Sequence, residues 1–322
     1  MLKSILKRIL AMIPVMLGVT LLVFVILNMA PGDAATNMLG DYAEEAELEA
    51  LRDELGLNDP LLVQWGRYVW NIVAHGDFGT SYRTGQSVTT SIFERYPTTL
   101  LVAGLGVVFT ALLGISLGII SAVKQYSIWD NLATVIGMVG VSMPSFFVGL
   151  VLIILFCQVL GILPASGYKH WYNYIMPIMT ISFGSMASQM RMTRSSMLEV
   201  MRQDYVRTAR AKGQSEKKVV LHHQLKNAMI NIITVIGTQA AILLGGSIIV
   251  EQIFGIPGVG NLMMTSINFR DYPMVRGCVL LMALTFSVVN LLVDLIYAAV
   301  DPRIRSQFTG KKKRKERTGK AV

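Results

Sequence analysis

The chain has 322 residues, 53% of them hydrophobic and only 15% charged, and its formal net charge is +9. So apolar a composition excludes an ordinary soluble domain of this length. The positive charge does not indicate a nucleic-acid partner, because the basic residues fall between and after apolar blocks, where membrane topology demands them.

The apolar residues form blocks of about 20, the length a helix needs to cross roughly 30 Å of hydrocarbon. Short alternating segments, the mark of a β-barrel, are missing. The expected fold class is therefore an all-α polytopic membrane protein with six spans, near 9–30, 100–123, 132–160, 175–196, 228–250 and 275–300. The first block follows Lys3, Lys7 and Arg8 as a signal peptide would. It is too long for a typical signal h-region and ends without a clear small-residue cleavage site, so it is read as a retained helix. Cys157 and Cys278 both lie in apolar stretches and are expected as buried free thiols.

Between the first two spans lies the longest loop, 31–99. Residues 43–55 (AEEAELEALRDEL) are strong helix formers with Asp41 as a candidate cap. After Pro60 a second helix is expected, with Leu61, Leu62, Trp65, Tyr68, Val69, Ile72 and Val73 on one face. Trp65 and Trp70 suit a membrane interface. The loop is read as a small acidic cap, serving either to dock an external partner or only to protect the outer face.

In the third expected span Ser142, Pro144 and Ser145 interrupt the apolar run. Proline removes a backbone donor and kinks a helix. The kink is either a hinge or widening of a pathway, or a tolerated packing feature. Between spans four and five, Arg202, Arg207, Arg210, Lys212, Lys217, Lys218 and Lys226 form a basic loop. It reads as a helix to Lys212, a break at Gly213, and a second helix capped by Ser215, with Glu216 favouring its positive end. Ala209 and Ala211 are small enough to admit another protein closely. The N-terminus, this loop and the tail run Lys311-Lys-Lys-Arg-Lys315 all fall on one side of six spans. The positive-inside rule makes that side cytoplasmic, with both termini there. Arg191 and Arg194, at a cytoplasmic span end, are expected to snorkel.

Polar groups inside spans face protein or water. In span five Thr238, Gln239, Gly245, Gly246 and Ser247 stand out. Gln239 and Gly246, seven apart, share a face; this is either a pathway stripe or close helix packing. Phe254-Gly-Ile-Pro-Gly-Val-Gly reads as a tight ordered loop. In span six Asn290 and Asp294 share a face, with Asp294 serving a structural bond or, alternatively, a proton relay.

The loop segment Arg207-Thr-Ala209, three residues, Gly213, and then ten residues to His223-Gln-Leu225 resembles the EAA loop of ABC importer permeases, which inserts as a coupling helix into a groove on the ATPase. Arg207 stands where glutamate is usual and Lys226 where proline is common. The variant Tyr-Val-Arg-Thr-Ala-Arg-Ala-Lys-Gly is similar to the dipeptide/oligopeptide/nickel subfamily. Leu55-Gly-Leu-Asn-Asp-Pro60, Gly76-Asp-Phe-Gly79-Thr-Ser81, Ser142-Met-Pro-Ser-Phe146, Arg191-Met-Thr-Arg194, Gly246-Ser-Ile-Ile-Val-Glu251 through Gly260, and Asp301-Pro-Arg303 resemble that subfamily in order along the chain.

The resemblance implies the type I ABC importer permease fold and the first permease of a heterodimer in a bacterial inner membrane. It divides the chain into 1–30 (cytoplasmic end and first span), 31–99 (extracytoplasmic subdomain), 100–302 (permease core with coupling loop 199–227) and 303–322 (basic tail). Implied partners are a second homologous permease, two ABC ATPase subunits, an extracytoplasmic substrate-binding protein and a peptide-like substrate. The implied coupling residues are Arg207, Thr208, Ala209, Arg210, Ala211, Lys212, Gly213, Gln214 and His223. Ser142, Pro144, Ser145, Gln239, Gly246, Ser247, Phe254 and Asn290 are the pathway or gate candidates.

No Gly-x4-Gly-Lys-[Ser/Thr] loop occurs, so ATP and Mg are expected on partner subunits and no cofactor in this chain. His222 and His223 are adjacent and point apart on a helix, a poor metal site. The rival readings are an ion-gradient-driven secondary transporter and a membrane-embedded enzyme. The first needs mid-membrane ionisable residues and internal repeats; the second, as an aspartyl protease, needs paired carboxylates deep in the spans.

Overall fold

The computed structural model describes residues 2–29, 34–40 and 43–300. Asp41, the Asp301-Pro-Arg303 motif and the basic tail lie outside the described residues. Within them the chain is helical, with no strand beyond one isolated bridge between Thr80 and Ser87.

Helix α1 (Leu2–Met29) leads into a cap of α2 (Ala34–Leu39), α3 (Glu45–Leu55) and α4 (Leu61–His75). Both expected cap helices are present. α3 begins after Glu44, whose side chain makes no capping bond, and ends at Gly56 in the left-handed conformation. α4 lies against α1: Trp65 Nε1 donates to Thr20 Oγ1 at 3.0 Å, and the Tyr68 and Phe24 rings are 5.3 Å apart. Leu62, Val63, Trp70 and Val73 remain exposed, so the apolar residues of α4 divide between the bundle and its surroundings.

The core is built on α5 (Val88–Val123), α8 (Ile175–Met201) and α11 (Leu225–Phe254). Along α5 a small residue recurs every fourth position, at Gly106, Thr110, Gly114, Gly118 and Ala122, and all five are buried. The stripe lets α8 approach closely. A Cβ on Gly114 would lie 2.7 Å from Gln189 Cβ, and one on Gly118 would lie 2.5 Å from Thr193 Cβ and 2.7 Å from the Met190 carbonyl oxygen. Toward the cap end, Val102, Met176, Ile181, Leu243, Val250 and Phe254 close one apolar cluster. Toward the opposite end, Ala122, Met197, Val220, Ala228 and Ile232 close another.

Among the described residues four helical stretches are long and apolar enough to cross a membrane: Ile5–Met29, Val88–Val123, Glu216–Phe254 and Tyr272–Ile296. The last belongs to α13 (Tyr272–Val300), reached through α12 (Val259–Asn268). The third expected span is not one straight helix. α6 (Ile128–Ser142) and α7 (Ser145–Leu152), the latter continued by a π-helical stretch Ile153–Val159, meet at 112°. Proline at 144 pushes Met143 to extended backbone (φ −83°, ψ 127°) and leaves no donor to continue the ladder. The fourth expected span is α8, about 40 Å long at 1.5 Å per residue. It fails a purely apolar test because Thr180, Ser182, Ser185, Gln189, Thr193 and Ser196 are buried against protein instead of facing lipid.

Two ionic contacts correct or resolve sequence readings. Arg194 does not snorkel. Its Nε and a terminal nitrogen grip the buried Asp130 carboxylate at 2.7 and 2.9 Å, and Ser121 Oγ donates to the same carboxylate at 2.5 Å. The triad ties α5, α6 and α8 together, and the Tyr126 amide adds a bond at 2.9 Å. Asp294 pairs with Arg8 of α1, the structural alternative for that residue. Cys157 and Cys278 are free, Cys278 buried and Cys157 partly exposed.

Candidate functional site

The loop after α8 forms α9 (Asp204–Ala211), a reversal at Gly213, and α10 (Glu216–Lys218), which runs through a π-helical turn Val219–Gln224 into α11. It has a small core of its own. Val206 and Ala209 of α9 pack on Val219, with Val200 beside them. Ala209 is thus an internal contact and not a surface for another protein, whereas Ala211 is exposed. Helix α9 ends one residue before Lys212. Gly213 takes φ +74°, the left-handed conformation that ends helices, and its amide bonds the Arg210 carbonyl oxygen at 2.9 Å. A Cβ there would meet nothing within 4 Å, so the requirement for glycine is conformational and not steric.

Side chains then lock the reversal. Gln214 Oε1 and His223 Nε2 lie 2.7 Å apart, which brings two expected coupling residues into contact. Arg210 binds Glu216 through two bonds of 3.1 and 2.5 Å. Ser215 precedes α10 but its hydroxyl makes no capping bond. Thr208 Oγ1 is used locally, donating to the Asp204 carbonyl oxygen at 3.0 Å. The outward face that remains carries Tyr205, Arg207, Ala211 and Lys212. It is a compact, basic face carried on a small packed core.

A cavity of about 330 Å³ opens between α6, α7, α8 and α11. Three of the pathway candidates meet there: Ser145, Gln239 and Gly246. α8 supplies Thr180, Ser185 and Ser188, which sequence reasoning missed. Ser185 Oγ donates to Gln239 Oε1 at 2.9 Å, and Thr180 Oγ1 is buried with no partner among the described residues. The missed signal was the unusual polarity of α8, since hydroxyls repeated within a span must face protein or water. The wall sets these hydroxyl and amide groups among apolar side chains such as Val148, Ile181 and Leu243, and it carries no charge.

The other candidates lie elsewhere. Pro144 makes the bend beside the cavity, and Ser142 is exposed, with its hydroxyl on the Met138 carbonyl oxygen. Ser247 is buried and bonds within its own helix to Leu244. Phe254 sits in the apolar core, and Asn290 is bonded to the Phe286 carbonyl oxygen on α13. The segment after Phe254 is fixed by a buried carboxylate: Glu251 accepts from Thr99 Oγ1 at 2.7 Å and the Asn261 amide at 3.0 Å, while Val259 N donates to Thr99 Oγ1. A Cβ on Gly258 would lie 2.3 Å from that carboxylate, so glycine is required for the close approach.

Residues 114–306 match the family described as binding-protein-dependent transport system inner membrane component, and residues 1–103 match the N-terminal part of such membrane components. The chain belongs to this family: it is the permease subunit of a binding-protein-dependent ABC importer, a multi-pass inner-membrane protein. It is 42% identical over 305 residues, 95% of this chain and 99% of the relative, to the glutathione transport system permease protein GsiC of Escherichia coli (strain K12). The protein of the same name from Salmonella typhimurium is 41% identical over the same shares. Among solved structures, the inward-facing MetNI methionine ABC transporter (SeMet soak crystal form) superposes with a TM-score of 0.55 at 17% identity, covering 66% of this chain and 97% of that one. An amino acid ABC transporter solved with histidines gives 0.51 at 16%, covering 67% and 94%. These structures support the type I importer permease fold.

Proposed function

We propose that the chain forms one half of the translocation pathway of an ATP-driven importer of di- and oligopeptides. It pairs with a second, homologous permease and rests on two ABC ATPase subunits. A binding protein delivers substrate at the cap. In this reading both termini and the basic loop are cytoplasmic, and ATP and Mg stay on the ATPases. The observation that carries the proposal is the rigid reversal 204–224, whose exposed basic face projects from the bundle on a small packed core. A rigid lever transmits a rigid-body motion of its partner; a floppy basic loop does not. ATP-driven closure of the ATPases would push α9, and through α10 and α11 shift the cavity between inward-open and outward-open populations.

The substrate class is supported by the cavity wall and by the relatives. Ser145, Thr180, Ser185, Ser188 and Gln239 offer neutral donors and acceptors that suit a peptide backbone of any sequence. The relatives at 41–42% identity are named for glutathione, a short peptide. Selection among peptides would fall to the binding protein.

The test is ATP-dependent uptake of labelled glutathione and dipeptides by the reconstituted complex, with variants at Gly213. A β-branched residue at φ +74° is strained by about 1–3 kcal/mol, whereas asparagine tolerates that conformation. Gly213→Val is expected to abolish uptake at normal membrane abundance, and Gly213→Asn to keep most of it. Normal uptake by Gly213→Val would remove the loop from the mechanism. ATP-independent uptake by the wild type would remove the importer reading.

A further inference from the structure

At the cap end of the bundle an arginine makes no ion pair among the described residues, although the Glu54 carboxylate lines the same pocket. Arg276 lies in the second turn of α13, and among the described residues its guanidinium makes no hydrogen bond and no ion pair; Nε is buried with no partner. It stacks on the Phe24 ring of α1, 3.6 Å from the centroid. The carboxylate closest in sequence, Asp271, is committed to Ser81 Oγ at 2.5 Å and the Tyr82 amide at 3.1 Å. The positive N-terminal end of α13 adds to the excess charge. The Tyr68 hydroxyl of α4 is likewise buried with no partner, and it lines the same pocket of about 480 Å³ as Arg276. A cation drawn out of water without an anion is costly, and an unmade phenolic bond adds to that cost.

A second feature continues from the first. α1 and α13 run antiparallel, joined by the Phe24–Arg276 stack at one end and the Arg8–Asp294 pair at the other. On α13, Leu280 and Leu284 follow Arg276 at four-residue steps on one face; on α1, Thr20, Leu17 and Ile13 follow Phe24. Between these faces, under Val69 and Ile72 of α4, runs an almost wholly apolar crevice of about 330 Å³. It opens to the surface, where Ile13, Leu17, Val73 and Leu284 are exposed. The same three helices therefore hold, among the described residues, a cation with no ion pair at one end and an open apolar crevice at the other. Trp65 and Trp70 of α4 suit the interfacial depth where headgroups sit.

We propose that this stripe binds a phospholipid, its phosphate held by the Arg276 guanidinium and the Tyr68 hydroxyl and one acyl chain lying in the α1–α4–α13 crevice. A planar guanidinium matches phosphate oxygens in a two-pronged bond, and the hydroxyl supplies a third donor. A carboxylate from a peptide or from a partner protein would neutralise Arg276 but leave the crevice empty. The lipid would fasten the cap to the bundle, since the pocket is walled by α4 and the α3–α4 turn on one side and by α1 and α13 on the other.

The experiment is lipid retention. The complete complex is purified in mild detergent, washed exhaustively, and its residual phospholipid measured by mass spectrometry per mole of this chain. Wild type is expected to retain stoichiometric phospholipid, and Arg276→Gln to lose it about tenfold, the weight of one charge-assisted contact. Leu284→Trp, which fills the crevice far from the charge, is expected to lose lipid equally and decides the matter if Arg276→Gln does not accumulate. Unchanged retention in Leu284→Trp would overturn the proposal. So would unchanged retention in an Arg276→Gln chain that accumulates; a raised KM for peptide uptake beside it would assign the guanidinium to a substrate carboxylate.

Discussion

Asp130 and Arg194 show how one pair of residues fixes three helices. The carboxylate is almost fully buried, and its bonds come from α8, from α5 and from the turn before α6. Removing Asp130 leaves Arg194 charged, partly buried and without its partner. Asp130→Ala is expected to destabilise the detergent-solubilised protein by about 1–3 kcal/mol, seen as a fall in its unfolding temperature. The double variant Asp130→Leu with Arg194→Met is expected to recover much of that loss. An unchanged unfolding temperature in Asp130→Ala would show that the triad holds nothing. The sequence offered no route to this pair: the partners stand 64 residues apart, and an arginine at a span end ordinarily reaches for water. Gly213 was legible for the opposite reason. A glycine between two helix-forming runs has a local meaning, and its φ of +74° supplies it.

At the scale of elements, the contact of α5 with α8 sets the bundle. The glycines of α5 bring the helices so close that Gln189 and Thr193 lie on its backbone. Gly118→Val would press two methyls toward Thr193 and the Met190 carbonyl, neither of which can retreat without moving α8. A loss of about 1–3 kcal/mol in stability is expected, together with reduced uptake, because the cavity wall is carried by the same helix. Full stability and uptake in Gly118→Val would mean that the two helices yield freely. The four-residue repeat that makes this contact is plain in the sequence once α8 is known to be its partner. Hydropathy alone underrates α8, since a helix enclosed by protein has no need of an apolar surface. The bend at Pro144 was marked by its proline, but its angle of 112° depends on how α7 packs against α8 and α11, which no local signal encodes. The long apolar helices, by contrast, were readable to within a turn or so at most ends because lipid imposes a length and a composition together.

For the whole molecule, the features divide by position along the bundle. The cap and the Glu251-centred turn lie at one end, the neutral hydroxyl-lined cavity between, and the packed reversal 204–224 at the other. Family membership makes the chain a permease subunit of a binding-protein-dependent importer; the reversal is the part proposed to meet the ATPase. The resemblance pointed to that loop as the coupling element, and the structure adds which of its residues face outward: Arg207, Ala211 and Lys212, but not Ala209. Site-directed cross-linking from this face tests the claim most directly. Cysteine is placed at exposed Ala211, with a control at exposed Met138 on α6, and each complex in native membranes is treated with a short thiol cross-linker. The account predicts a covalent product between the Ala211→Cys chain and an ATPase subunit, changed in yield by ATP, and none from Met138→Cys. Absence of any ATPase product from Ala211→Cys, in membranes where the assembled complex is otherwise recovered, would contradict it.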